Sequence, residues 1–160
     1  MIFLKKRCYG LLIDLLTNRF LIVAVSSWML SQLTKVIIHW IVNKKFVLER
    51  MFGDGGMPST HSATVCSLAT FSALACGFGS FEFAVTAIFA LVVCRDAMGV
   101  RRETGKQATV LNDIIKSIEK HDFSAIKLKE FVGHTPAQVA VGSLLGITNA
   151  IVWYFTGVFA

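Results

Sequence analysis

Gly53-Asp54-Gly55-Gly56-Met57-Pro58-Ser59-Thr60-His61-Ser62-Ala63-Thr64 is the stretch around which the chain is organised. A glycine-rich run leads into Pro58 and a group of hydroxyls, and an apolar helical segment comes next. The glycines let the backbone turn tightly or come close to a ligand. Pro58 suits a helix start, and Ser59 or Thr60 can cap it. The first-turn amides then present the positive end of the helix dipole, which attracts anions. His61 stands beside them, where it can give a proton to a departing oxygen. Taken alone, a capped helix start with a histidine at the water interface accounts for the stretch. The rest of the chain points further.

The 160 residues suit one domain, 1–160. The chain is 54% hydrophobic and 16% charged, which is too apolar for an ordinary soluble domain of this length. Its net charge of +6 comes with no basic tail and no alternation of basic and aromatic residues, which argues against nucleic acid. Anionic headgroups or phosphorylated substrates suit such a chain better. Cys8, Cys66, Cys76 and Cys94 form no CxxC pair and read as small apolar residues, not as a disulfide framework. Lys5, Lys6 and Arg7 are basic, but Asp14, Asn18 and Arg19 break up the residues after them, so no cleavable signal peptide is expected. His, Cys, Asp and Glu show no metal-ligand spacing, and no metal or other cofactor is expected.

Four membrane spans are expected, at about 20–42, 60–78, 81–95 and 136–158. Residues 1–17 read as a short amphipathic helix at the membrane surface. Within the first span Trp28, Gln32, Lys35 and His39 recur at helical spacing and share one face. That face should point into the bundle, because a cation is costly against lipid; the other reading has Lys35 snorkelling to the interface. The second span is rich in Ala, Ser, Thr and Cys, as close helix packing in lipid requires. The polar segment 96–134 holds an amphipathic helix around Leu111, Ile114, Ile115 and Ile118, and a second short helix over 124–132. Thr135-Pro136-Ala137-Gln138 predicts a capping box with Pro at the first helical position. Gly142 and Gly146 make a small-xxx-small face that another helix can approach.

These spans make the fold class all-α, an integral membrane bundle, with the cell membrane as its expected location. With four spans, the 43–59 loop and the 96–134 segment emerge on the same side. This topology brings His61, His134, Asp54, Asp96, Arg101, Arg102 and Lys129 to one surface. The excess of Lys and Arg in those segments predicts that this surface is cytoplasmic. Two histidines at helix starts, several cations and few carboxylates are what phosphoryl transfer needs: a nucleophile, a proton donor and positive charge for the transferring group.

Three motifs carry a resemblance to a known family. They are Gly55-Gly56-Met57-Pro58-Ser59-Thr60-His61-Ser62-Ala63, Asp96-Ala97-Met98-Gly99-Val100-Arg101-Arg102 with Gly105-Lys106-Gln107-Ala108, and Gly133-His134-Thr135-Pro136. With Gln32-Leu33-Thr34-Lys35 they span nearly the whole chain, which resembles the divergent branch of the type 2 phosphatidic acid phosphatase family. The broader superfamily includes vanadium-dependent haloperoxidases. The mainstream family uses K-x(6)-R-P, P-S-G-H and S-R-x(5)-H-x(3)-D. The resemblance implies that His134 is the nucleophile and His61 the proton donor, with Lys35 matching the opening lysine.

The chain departs from that pattern at Val42, Leu128 and Gln138, where the family has Arg, Arg and Asp. Arg101, Arg102 or Lys129 would have to replace the phosphate clamp, with Ser59 and Thr60 beside it, and Asp96 or Asp54 the carboxylate. The resemblance implies a membrane phosphatase-like protein that hydrolyses a lipid or isoprenoid phosphate or pyrophosphate. The alternative is a non-catalytic protein of the same fold that binds or moves a phosphorylated lipid. The expected partners are that lipid and the bilayer, and an oligomer is left open.

Overall fold

A computed structural model describes residues 13–44, 56–118 and 133–157, without the side chains of 100–102 and 116–118. The described residues form a helical turn at 13–16 and five longer helices. These are α1 (Arg19–Asn43), α2 (Thr60–Cys76), α3 (Phe81–Met98), α4 (Val100–Ile118) and α5 (Pro136–Phe155). Most of the expected amphipathic helix at 1–17, most of the 43–59 loop and the expected helix at 124–132 lie outside the described residues.

The four apolar helices start where their sequence supplies a cap. Asn18 accepts from the amides of Phe20 and Leu21 at 3.0 and 3.2 Å, which opens α1. Ser59 and Ser80 cap α2 and α3. At α5 the expected capping box is complete: Thr135 Oγ1 accepts from the Gln138 amide at 3.3 Å, and Gln138 Oε1 accepts from the Thr135 amide at 2.9 Å. Pro136 takes the first helical position, as its fixed φ favours. Pro58 differs from expectation. It precedes the Ser59 cap, outside the first turn, and its peptide bond with Met57 is cis.

The bundle is built around α2, which contacts α1, α3 and α5. It is also the shortest of the apolar helices. At 17 residues it rises roughly 26 Å, close to the thickness of a hydrocarbon core. By length and composition α1, α5 and a stretch beginning with α3 at Phe81 are sufficient to cross a membrane. The surface is inverted relative to a water-soluble protein. Leu21, Val25, Met29, Leu33 and Ile37 of α1 are exposed, as are Ile88, Phe89, Leu91 and Val92 of α3. Ser27, Ser31, Ser59, Ser62 and Ser67 are fully buried. In lipid this arrangement is stable, because contacts between small residues and hydrogen bonds between helices replace the hydrophobic drive.

The glycines of α5 show how close the helices come. A Cβ at Gly142 would collide with the backbone carbonyl of Ser59, and one at Gly146 with that of Ala63. The expected small-residue face of α5 is therefore the face that meets α2. At the other end of the bundle Val23, Phe71 and Ala150 form the apolar core with Phe20 and Trp153 against it. The Phe20 and Phe71 rings meet edge to face, with centroids 5.4 Å apart.

Candidate functional site

The amino ends of α2 and α5 and the carboxyl end of α3 meet at one end of the bundle, and two backbone hydrogen bonds hold them. The Ser59 amide donates to the Gln138 carbonyl at 3.0 Å, and the His134 amide donates to the Ala97 carbonyl at 3.0 Å. These two bonds tie together the three motifs singled out in the sequence. Gly133, with φ of 95°, turns the chain into His134 through a conformation that side-chain-bearing residues rarely adopt. The His61 and His134 ring centroids lie 6.2 Å apart, with the planes tilted by 57°. His134 is buried and His61 half-buried.

Gln138 is the hub of this junction. Its carbonyl holds Ser59, and its side-chain oxygen closes the capping box. The same oxygen lies 3.4 Å from His134 Nδ1. When Nδ1 carries the proton it donates to that oxygen, and Nε2 is then the nitrogen that keeps its lone pair. Gln138 thus stands at the ring nitrogen that a carboxylate four residues after the histidine would reach. From the sequence it reads as a capping residue alone, and its second contact becomes visible only with the ring in place.

Ser59 and Thr60 shape the helix start. The Ser59 hydroxyl accepts from the Ser62 hydroxyl at 2.9 Å and from the Ser62 amide at 3.4 Å. The Thr60 hydroxyl donates to Gln32 Oε1 at 3.4 Å and accepts from the Ser31 hydroxyl at 3.3 Å. These bonds link α1 to the turn that carries His61.

Lys35 is 7% exposed, so its side chain does not snorkel along the lipid face. It lies one helical turn beyond Ser31 and Gln32 and lines a cavity of about 160 Å³ with Ile38, His39, Val42, Asn43, Gly56 and Met57. The polar face read from the sequence holds for Gln32 and Lys35, and His39 is half-buried. Trp28 departs from it and is exposed. At that level Val23, Ala24 and Ser27 form the inward face, because small residues allow α1 to approach its neighbours.

Asp96 is half-buried and adjoins Ala97, whose carbonyl holds His134. Arg101 and Arg102 belong to the first turn of α4, but their side chains are outside the described set. Asp54 and Lys129 lie outside the described residues. Among the described residues no three of His, Cys, Asp and Glu are grouped to hold a metal ion.

Comparison with known proteins adds the family. The family model described as "Divergent PAP2 family" matches residues 16–149. The chain is also similar to the "Uncharacterized membrane protein YuiD" of Bacillus subtilis (strain 168), with 41% identity over 151 residues. That alignment covers 87% of this chain and 96% of the relative. No solved structure matches the chain significantly.

Proposed function

The chain belongs to the divergent PAP2 family, and from that premise we propose that it is a membrane phosphatase that hydrolyses a lipid or isoprenoid phosphate or pyrophosphate. The observation that carries this reading is the His61–His134 pair, with ring centroids 6.2 Å apart where two helices of an apolar bundle begin. In-line transfer needs about 3–3.5 Å from the nucleophile nitrogen to phosphorus and about 2.6–3.2 Å from the donor nitrogen to the leaving oxygen, so both rings must reach one phosphoryl group. The two rings are near enough to each other to address the same phosphoryl group.

In this reading His134 Nε2 attacks phosphorus while Gln138 holds the proton at Nδ1. The bond to the leaving oxygen breaks, and His61 as imidazolium gives that oxygen its proton. Neutral His61 then takes a proton from the water that cleaves the phosphohistidine, which releases phosphate and restores both rings. Lys35 and the first-turn amides of α2 stabilise the charge on the phosphoryl oxygens. Ser59 and Thr60 keep those amides in place. Arg101, Arg102 and Lys129 are the cations we assign to the phosphate side, and Asp96 and Asp54 the carboxylates. The bundle crosses the membrane four times in this scheme, with α2 as the central crossing.

One observation favours a second reading. The partner of His134 Nδ1 is the neutral amide of Gln138, which cannot stabilise an imidazolium as a carboxylate does. A protein with that arrangement can bind or move a phosphorylated lipid without cleaving it. Purified protein in nanodiscs, given a panel of phosphatidate, lysophosphatidate and polyprenyl mono- and diphosphates, separates the two readings. The phosphatase reading expects phosphate release that His61→Ala and His134→Ala abolish. Saturable lipid-phosphate binding with no release from any substrate on the panel would establish the second reading instead.

A further inference from the structure

Away from the histidines, Cys66 of α2 and Cys94 of α3 line one cavity of about 550 Å³ with Ala90, Leu91, Arg95 and Met98. Both come from the packed α2–α3 interface, near each other and near Ser143 of α5. Both cysteines are half-buried and reduced. Their depth matters. Cys66 lies five residues beyond His61, and Cys94 lies four residues before the end of α3. At about 1.5 Å per residue they sit roughly 6–8 Å along the bundle from the end that carries the histidines, and the cavity they line is open to a small oxidant.

We propose that Cys66 and Cys94 are a redox-modifiable dithiol, which a peroxide converts to a disulfide joining α2 to α3 below the two histidines. One thiolate attacks the peroxide O–O bond, giving a sulfenic acid and releasing water. The second thiol displaces the sulfenic oxygen as another water, and the S–S bond forms. Two electrons pass from sulfur to the peroxide oxygens, and the protons end on the two waters. Two thiols that line one cavity favour the disulfide, because the resolving step is intramolecular and outruns further oxidation of the sulfenic acid. The bond also has a route to the site. Cys94 lies within reach of Ser62, whose hydroxyl donates to the Ser59 cap at 2.9 Å, so forming the disulfide withdraws a neighbour from that cap.

The test uses membranes carrying the full chain with Cys8→Ser and Cys76→Ser, treated with hydrogen peroxide, denatured and tagged with a maleimide-polyethylene glycol. The proposal expects both tags to be lost together and to return after dithiothreitol. It also expects a peptide pair linked through Cys66 and Cys94, lighter by two hydrogens than the two free peptides. Cys66→Ser or Cys94→Ser in the same background should abolish the linked pair. The wild-type chain, which depends on no substitution, should give the same pair by mass spectrometry. Persistence of both tags at a peroxide dose that oxidises the exposed Cys76 of the wild-type chain would overturn the proposal. Separate sulfinic acids without a linked peptide, or a disulfide-linked dimer in place of the internal bond, would do the same.

Discussion

The bundle buries two polar clusters, and they are built on different principles. Deep along α5, Asn149 Nδ2 donates to Ser27 at 2.7 Å and Ser26 at 2.9 Å, and Trp153 Nε1 donates to the same Ser26 hydroxyl at 2.9 Å. Every group in that cluster is neutral, and its short bonds run between α1 and α5. Such a cluster acts as glue between helices where the hydrophobic effect is absent. The polar groups at the other end include ionisable ones: His61 and His134, paired at helix starts, and Lys35, buried within α1 beside a cavity. Ionisable groups are costly inside a membrane protein and mark function by default. Burial of polar atoms therefore does not identify a site in such a bundle. In the proposed reading, charge does, together with the position of both histidines at helix starts.

Substitutions can break this contrast, and the largest effect is expected at His134. His134→Ala should lower phosphate release by about 10³-fold or more, since it removes the nucleophile on which the proposed reaction depends. Its melting in detergent should stay near that of the wild type, because the His134 backbone bond to Ala97 remains. Phosphate release with bound lipid phosphate is the measurement for the first claim and circular dichroism melting for the second. A His134→Ala protein that releases phosphate at the wild-type rate would remove His134 from the chemistry.

Lys35→Met comes next. Hydrogen bonds to charged groups are worth about 1.5–3 kcal/mol, so loss of the ammonium should weaken binding of a phosphate analogue roughly 10- to 100-fold. Methionine keeps the buried stem, so helix content should not change. Calorimetric titration with orthovanadate checks the prediction. Equal affinity in both proteins would place Lys35 in a structural role beside the cavity.

Much of the fold was legible in the sequence, and particular residues show why. Apolar runs of span length, Ser59 at a helix start, and the Thr135–Gln138 box are local signals that local physics decides. Gly142 and Gly146 declared a close face, but not that α2 occupies it, since spacing on one helix is silent about its partner. The pairing of the two histidines followed from topology, because helices of alternating direction must return their loops to one side. Three features were not legible. The exposure of Trp28 depends on how far α1 rotates to bring Ser27 and Ser31 inward. The cavity that Cys66 and Cys94 share lies between helices, with no sequence spacing to announce it. The second role of Gln138 was hidden for a different reason: one amide oxygen serves the cap and the imidazole together.

That double role sharpens the contrast between the clusters. Gln138→Glu keeps the shape of the side chain and its acceptor oxygen, so the cap and the contact with His134 survive. It adds a negative charge at the first turn of α5, which the helix dipole favours by about 0.3–1 kcal/mol. For the phosphatase reading the charge also stabilises His134 as positive charge develops on attack, and phosphate release should rise about tenfold. In the binding reading the charge only repels the ligand, so affinity falls and nothing is released. Initial rates on the best substrate of the panel, with affinity measured in parallel, distinguish these outcomes.

The smallest effect is expected in the other cluster. Asn149→Ala removes the donor shared by Ser26 and Ser27, yet the loss is partly recovered. The Ser26 hydroxyl already donates to the Val23 carbonyl at 2.9 Å, and serine hydroxyls in helices readily bond backward to the preceding turn. Hydrogen bonds between membrane helices average about 0.6 kcal/mol and rarely exceed about 1.7 kcal/mol, so the expected destabilisation is near 1 kcal/mol. Alanine is also smaller than asparagine and creates no clash where Ala150 packs against Val23 and Phe71. Phosphate release and vanadate affinity should therefore stay within about twofold of the wild type. Unfolding of the purified protein in mixed micelles by increasing dodecyl sulfate measures the stability change. A loss of phosphate release in Asn149→Ala as large as that of His134→Ala would mean that the neutral cluster is coupled to the ionisable one.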